Sequence, residues 1–256
     1  MRLRAVAVAL CFFSLARADE PGKQSSGQSS GHPSGPELLA KMDHAMNAFK
    51  DATWDCKLRV KEPSGQWREL TFTTYQKSPG KRLVRFTGGD NKGMNVLVES
   101  ADVVYVYLPD FKRVRRMGTH VKNQNFGGSD FSSEDMSQTS FAGVFDAKVV
   151  GEDAASFILE LTAKPGLDLE CPKLKVWLGK EPMQPTRIEY MDASGKKLKT
   201  QERLDYKKDS PEHWQPMRIV VTDHRRNDHA SEIDFLSSKI DTGLSDDLFS
   251  VRTLQR

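Results

Sequence analysis

From Pro36 to Lys50 the apolar residues Leu38, Leu39, Met42, Ala45, Met46 and Phe49 recur at helical spacing, with Lys41, Asp43, Asn47 and Lys50 on the other faces. Pro36 suits a first turn and Glu37 a helix N-terminus, so the pattern predicts one amphipathic helix of about 15 residues. The period then changes to two. Trp54, Cys56, Leu58 and Val60 alternate with Asp55, Lys57, Arg59 and Lys61, a half-buried strand, and Leu70 and Phe72 open the next one beyond the turn Pro63-Ser64-Gly65. Further strands are predicted over 82–87, 94–99, 103–108, 112–117, 156–163, 173–178, 186–192, 197–206, 216–223 and 231–237. Turn residues separate them, among them Ser78-Pro79-Gly80, Gly88-Gly89-Asp90, Lys164-Pro165-Gly166, Ala193-Ser194-Gly195 and Arg226-Asn227-Asp228. Short strands joined by hairpin-length turns predict a mainly β, antiparallel architecture, a barrel or a strongly curved sheet. No βαβ alternation is present, which argues against a parallel nucleotide-binding sheet.

One stretch, Gly118–Phe145, breaks the rhythm. It holds Gly127-Gly128 and an acidic cluster, and Ser129 or Asp130 is placed to cap a short helix through Phe131, Glu134, Asp135 and Met136. A long irregular insertion among hairpins usually carries function.

The first residues read differently from the rest. Arg2 and Arg4, the apolar run Ala5–Phe13 and the ending Ala16-Arg17-Ala18 form a secretory leader over residues 1–18, with cleavage expected after Ala18. Residues 19–35 contain Ser, Gly, Gln and Pro but no aliphatic or aromatic side chain, so they are expected to be a flexible tether. Residues 36–256 are then a single domain. The full chain carries 38 Lys+Arg against 35 Asp+Glu, a formal +3; the leader holds three of those arginines, so the exported part is neutral. Balanced charge supplies no reason to expect nucleic acid as a partner. Beyond the leader the longest apolar run is Val103–Leu108, far short of the roughly 20 residues of a spanning helix. Cys56 and Cys171 remain after cleavage, and an oxidising compartment would let them pair; two separately buried thiols are the other reading.

Catalytic and cofactor motifs are missing. There is no G-x-G-x-x-G, G-x-x-x-x-G-K, H-E-x-x-H or C-x-x-C, and Gly127-Gly128-Ser129-Asp130 lacks the glycine spacing of a nucleophile elbow. Asp223-His224 and Asp228-His229 flank Arg225, Arg226 and Asn227, where cations oppose a divalent metal. No enzyme, cofactor or metal is therefore expected. A hydrolase using the acidic loop is a distant alternative. What the pattern does offer is a sheet with one apolar face and a helix to cover it, which encloses either a filled core or a ligand cavity. The cavity candidates are Met42, Met46, Trp54, Leu58, Val60, Phe72, Phe86, Val98, Val104, Val106, Leu108, Leu159, Leu161, Ile188, Met217, Ile219 and Phe235.

Several segments resemble a known family. The runs Val104-Tyr105-Val106-Tyr107-Leu108-Pro109, Arg113-Val114-Arg115-Arg116-Met117 and Gly128-Ser129-Asp130-Phe131-Ser132-Ser133-Glu134-Asp135-Met136 are similar to those of outer-membrane lipoprotein-sorting proteins, relatives of the periplasmic carrier LolA. Val176-Trp177-Leu178, Pro185-Thr186-Arg187-Ile188-Glu189-Tyr190 and the closing Leu248-Phe249-Ser250-Val251-Arg252-Thr253-Leu254 agree. Ser133 stands where members of that family commonly have an aromatic residue. The resemblance implies a LolA/LolB-like, open and incomplete antiparallel β-barrel of about eleven strands wrapped on helices. It also implies a periplasmic, monomeric, non-enzymatic carrier that shelters lipid or lipoprotein acyl chains, taking them from an inner-membrane transporter towards an outer-membrane acceptor. A sensing module that signals lipid or lipoprotein to a protein partner is the alternative. For the rim, the expectation is that Gly128–Met136, with Phe131, forms a lid held by Arg113, Arg115 or Arg116 through Asp130, Glu134 or Asp135; a static surface cluster of ion pairs is the plainer reading.

Overall fold

The computed structural model describes residues 33–62, 64–78, 80–100, 103–117, 125–132 and 140–255. The leader and most of the tether lie outside them. Helix α1 spans Gly35–Met46, shorter than its apolar spacing predicts, because the chain leaves helical geometry at Asn47 and Phe49 belongs to the loop beyond. Its start is a capping box: Ser34 Oγ accepts from the Glu37 N–H, and a Glu37 carboxylate oxygen accepts from the Ser34 N–H at 2.7 Å. Of the residues expected to end the tether, Ser34 is thus the helix cap and Gly35 its first residue.

Thirteen strands follow: β1 Asp51–Lys61, β2 Trp67–Lys77, β3 Lys81–Gly88, β4 Asn95–Ser100, β5 Val103–Leu108, β6 Arg113–Met117, β7 Phe145–Glu152, β8 Ser156–Ala163, β9 Lys173–Gly179, β10 Pro185–Met191, β11 Lys197–Lys208, β12 Trp214–Asp223 and β13 His229–Ile240. They form one antiparallel sheet in the order β6-β5-β4-β3-β2-β1-β13-β12-β11-β10-β9-β8-β7. The chain therefore makes two meanders that meet where β1 pairs with β13, and β6 and β7 are left at opposite edges. The sheet is open rather than a closed barrel. It exceeds the expected eleven strands, and among the described residues one α-helix covers it rather than several. The strand the periodicity misses is β7, where Val149 and Val150 are adjacent and a register shift falls between Val149 and Gly151, so strict alternation is broken.

Apolar side chains collect in three places. One cluster holds Trp54, Leu58, Leu70, Phe72, Phe86 and Ile233 on one face of β1–β3, β12 and β13, with Phe126 and Phe131 laid over it. A second seats Leu38, Leu39 and Met42 of α1 on Phe145, Leu159, Leu161, Val176 and Ile188 of β7–β10. The helix comes close: a Cβ on Gly35 would stand 2.2 Å from the Ala147 carbonyl oxygen. A third cluster lies on the other face, where Leu83, Leu97, Tyr105 and Tyr107 are covered by Leu248, Phe249 and Leu254 near the chain's end. Period two puts Leu83 and Val84 on opposite faces, so β3 is apolar on both sides for this reason.

The sheet curls. Between β3 and β11 lie five strand-to-strand steps, which on a flat sheet would separate them by about 24 Å at roughly 4.8 Å per step. Arg82 of β3 and Arg203 of β11 nevertheless line one small cavity.

Candidate functional site

That cavity, of about 150 Å³, lies where the C-terminal end of α1 meets the curled sheet. Alternation along β1 and β2 aims Trp54, Cys56, Phe72, Thr74 and Gln76 at it, and register brings Arg82 beside Gln76. From the far side come Gln201 and Arg203 of β11, Ile219 of β12, and Ile233 and Phe235 of β13. Met46 and Phe49 at the helix end, Phe131, and Gln184 before β10 complete much of the wall. Gln184 is fixed by its amide, which donates to the Ala45 carbonyl at 2.8 Å.

One wall is aromatic. Phe49 meets Trp54 edge to face at 5.6 Å and His213 at 5.1 Å, and Trp54 meets Phe235 at 6.4 Å. Behind it runs a hydrogen-bonded chain: Trp54 Nε1–H donates to Ser238 Oγ (3.1 Å), Ser238 donates to Asp209 (2.7 Å), and His213 Nδ1 lies 2.6 Å from the other Asp209 oxygen. The chain fixes the orientation of the rings. The opposite wall is polar and cationic. Arg82 Nε and Nη2 donate to Gln76 Oε1 at 3.1 and 2.7 Å, and Arg203 Nε donates to Gln201 Oε1 at 2.8 Å. Burial pushes the Arg82 guanidinium down to about 10, and the neighbouring Arg203 charge acts in the same direction. Burial, helped by the Asp55 charge, pushes the Cys56 thiol far up, so it stays protonated and a poor nucleophile. Tyr206, pushed up to about 12 by burial, donates its hydroxyl to the Pro185 carbonyl at 2.7 Å.

Of the apolar residues singled out in the sequence, Met46, Trp54, Phe72, Ile219 and Phe235 line the cavity, and Phe131 joins them from the crossing segment. Leu58, Val60 and Phe86 are core of the first cluster, and Met42, Leu159, Leu161 and Ile188 are core beneath the helix. Val98 is buried, and Val104, Val106, Leu108 and Met217 are half-buried, none of them on the cavity wall. The polar half of the wall has no signature in the apolar pattern: Gln76 and Arg82 lie in phase with Phe72 and Val84 on the inward face, but their polarity marks no apolar cavity, and Gln201 and Arg203 lie out of phase with Leu198 and Leu204. No disulfide joins Cys56 to Cys171: Cys56 is a buried thiol of the first cluster, and Cys171 packs against the second.

The expected rim contacts are rearranged. The Asp130 carboxylate is buried, but it accepts from Arg226 Nη1 (2.8 Å) and Ser231 Oγ (2.6 Å) and lies 2.7 Å from His229 Nδ1. Those residues belong to the β12–β13 turn and β13. Arg113, Arg115 and Arg116 are exposed on the edge strand β6 and make no ion pair among the described residues, so they do not hold Asp130. Glu134 and Asp135, and with them most of the expected short helix, lie outside the described residues. Ser129 Oγ donates to the Phe126 carbonyl at 2.6 Å and accepts from the Phe131 N–H at 3.2 Å. Among the described residues no three His, Cys, Asp or Glu side chains gather as a metal site, and no helix is long and apolar enough to cross a membrane.

Solved structures share this architecture. A DUF1329 family protein from Desulfovibrio piger superposes with a TM-score of 0.79 and 25% identity, over 86% of this chain and 97% of its own. An outer membrane lipoprotein-sorting protein domain from Vibrio parahaemolyticus does so at 0.76 and 24%, over 87% and 98%. A LolA superfamily protein from Nitrosomonas europaea matches at 0.72 and 18%, over 87% and 100%. No curated protein matches the chain. A family model described as "uncharacterized protein" matches residues 79–256, more than two thirds of the sequence. The chain belongs to the family which that model describes, and it carries the LolA-like fold of outer-membrane lipoprotein-sorting proteins.

Proposed function

We propose that this protein is an exported, non-enzymatic carrier of acyl-chain ligands, lipid or lipoprotein, between an inner-membrane donor and an outer-membrane acceptor. Residues 1–18 are its cleaved leader, and the domain beyond the tether does the binding as a monomer. The observation that carries this reading is the cavity between the helix end and the curled sheet, with its wall of Phe49, Trp54 and Phe235. Aromatic and aliphatic walls hold a chain without directional bonds, so one site accepts varied tails.

Size adds a mechanical consequence. A void near 150 Å³ holds a benzene-sized group, below the roughly 300–1,000 Å³ of sites for larger ligands. A full acyl chain therefore has to widen it. Each methylene buried gains roughly 0.8 kcal/mol, and the cost of displacing the roof offsets part of that gain, which makes release possible. Met46–Phe49 and Phe126–Phe131 are the segments that lie over the sheet here.

The test is native mass spectrometry of protein purified without detergent, followed by titration with a fluorescent fatty acid. A lipid-sized adduct or saturable uptake, reduced when Ile219→Trp fills the cavity, is the expected result. A bare mass with no uptake would mean a filled core and would end the carrier reading.

A further inference from the structure

The cavity carries more positive charge than its surroundings explain. Arg59, Arg187, Arg218, Arg225 and Arg226 each meet a carboxylate. Arg82 and Arg203 do not. Their hydrogen-bond acceptors are the neutral amide oxygens of Gln76 and Gln201, and around Arg203 stand the Met46 sulfur, 3.8 Å from Nη1, and the neutral Tyr206 hydroxyl. No Asp or Glu lines the cavity among the described residues. Asp209, which backs its wall through His213, is already engaged by His213 and Ser238.

Both arginines are half-buried, and a guanidinium drawn partly out of bulk water is disfavoured unless an opposite charge meets it, while two of them repel. A guanidinium has five N–H donors, so each arginine keeps several unspent. The two come from strands five steps apart and are brought together only by the curl of the sheet. A closed, ligand-free core gains nothing from that arrangement.

We propose that Arg82 and Arg203 are the seat for the anionic head of an acyl ligand, a carboxylate or a phosphate, with the first methylenes against Trp54 and Phe235. This rests on the acyl-chain reading above and narrows it: acidic lipids are preferred over neutral tails of equal length. Guanidinium forks match both oxyanions in geometry and gain strength where water is excluded. A cavity of about 150 Å³ suits a head group and the start of a chain.

The experiment is displacement of a bound fluorescent fatty-acid probe by laurate, dodecyl phosphate and dodecanol, which share one chain length. On the unaltered protein, laurate or dodecyl phosphate is expected to act at roughly tenfold lower concentration than dodecanol, the ratio a charge-assisted pair supplies. Which anion leads identifies the head as carboxylate or phosphate. Arg82→Gln and Arg203→Gln are expected to bring the anion and the alcohol together, and Arg203→Lys to keep most of the preference. Dodecanol as potent as both anions overturns the seat and leaves the acyl reading standing, and so does a preference that survives both glutamine variants. No uptake of the probe, or no displacement by any of the three, overturns both. The comparison on the unaltered protein needs no variant to fold.

Discussion

At the residue scale, three buried groups fix geometry that spacing alone leaves free. Asp51 at the start of β1 accepts from Thr242 N–H (2.9 Å), Thr242 Oγ1 (3.0 Å) and Gly243 N–H (3.0 Å), tying the sheet's centre to the segment that leads to the chain's end. Burial works to raise its carboxyl, but these bonds outweigh it and hold the group below its ordinary value. Its contribution to stability is therefore complete above the unfolded value near 4 and is lost as the pH falls through the lower folded one. Asp51→Asn is expected to lower stability by about 1–3 kcal/mol at pH 7 and by clearly less at pH 3, read from urea titrations at both. Gly35 is a matter of space: the alanine methyl would overlap the Ala147 carbonyl, so Gly35→Ala should cost about 1–3 kcal/mol through displacement of the helix start. Asp130 distinguishes the rim contacts that exist from those expected. Asp130→Ala leaves the fully buried Ser231 hydroxyl without that acceptor and should cost roughly 2 kcal/mol, whereas Arg115→Leu and Arg116→Leu should stay within about 0.5. Equal losses in all three would restore the arginine lock.

At the element scale, α1 joins the two clusters that flank the cavity. Its buried positions 35, 38, 39 and 42 form one stripe on β7–β10, while Phe49 just past its end packs in the first cluster. The helix is also fastened through Asp43, which accepts from Ser140 Oγ (2.7 Å) and from the Phe141 and Ala142 N–H groups (both 2.8 Å), orienting the entry into β7. Losing the cap in Ser34→Ala should cost about 1 kcal/mol, and Leu38→Ala, which leaves a void under the helix, about 2–5. The closing segment does for the other face what α1 does for this one. Asn95 Nδ2 donates to the Leu254 carbonyl at 2.6 Å, and Phe249 and Leu254 are buried against Leu83 and Leu97. Removing residues 244–256 would expose that apolar face, so the truncated chain should aggregate where the full one does not, as light scattering would show.

At the scale of the whole molecule, two meanders fed from opposite edges make a sheet whose middle is β1 paired with β13. The cavity is placed there by the curl, and what lies over it is a helix end and a crossing segment rather than more sheet. Ligand entry should therefore move these coverings and spare the strands. Hydrogen exchange with and without a bound acyl ligand is expected to change at 46–49 and 126–131, while β1, β2 and β13 keep their protection. A change spread evenly over the strands would instead mean that the sheet itself opens.

The sequence by itself determined the helix stripe, most of the strands and their turns, because periodicity and turn residues act over a few neighbours. Asn227 and Asp228 show it: both adopt positive φ, 53° and 55°, in the turn their side chains favour. The family resemblance extended that reading to an open sheet. Only the tertiary structure decided that Met46 lines the cavity while Met42, one helical turn away on the same stripe, is core. The tertiary structure alone also gave Asp130 partners a hundred residues later and set Arg82 beside Arg203. These outcomes depend on which strands meet and how far the sheet curls, and pairing between distant segments leaves no local mark on either one.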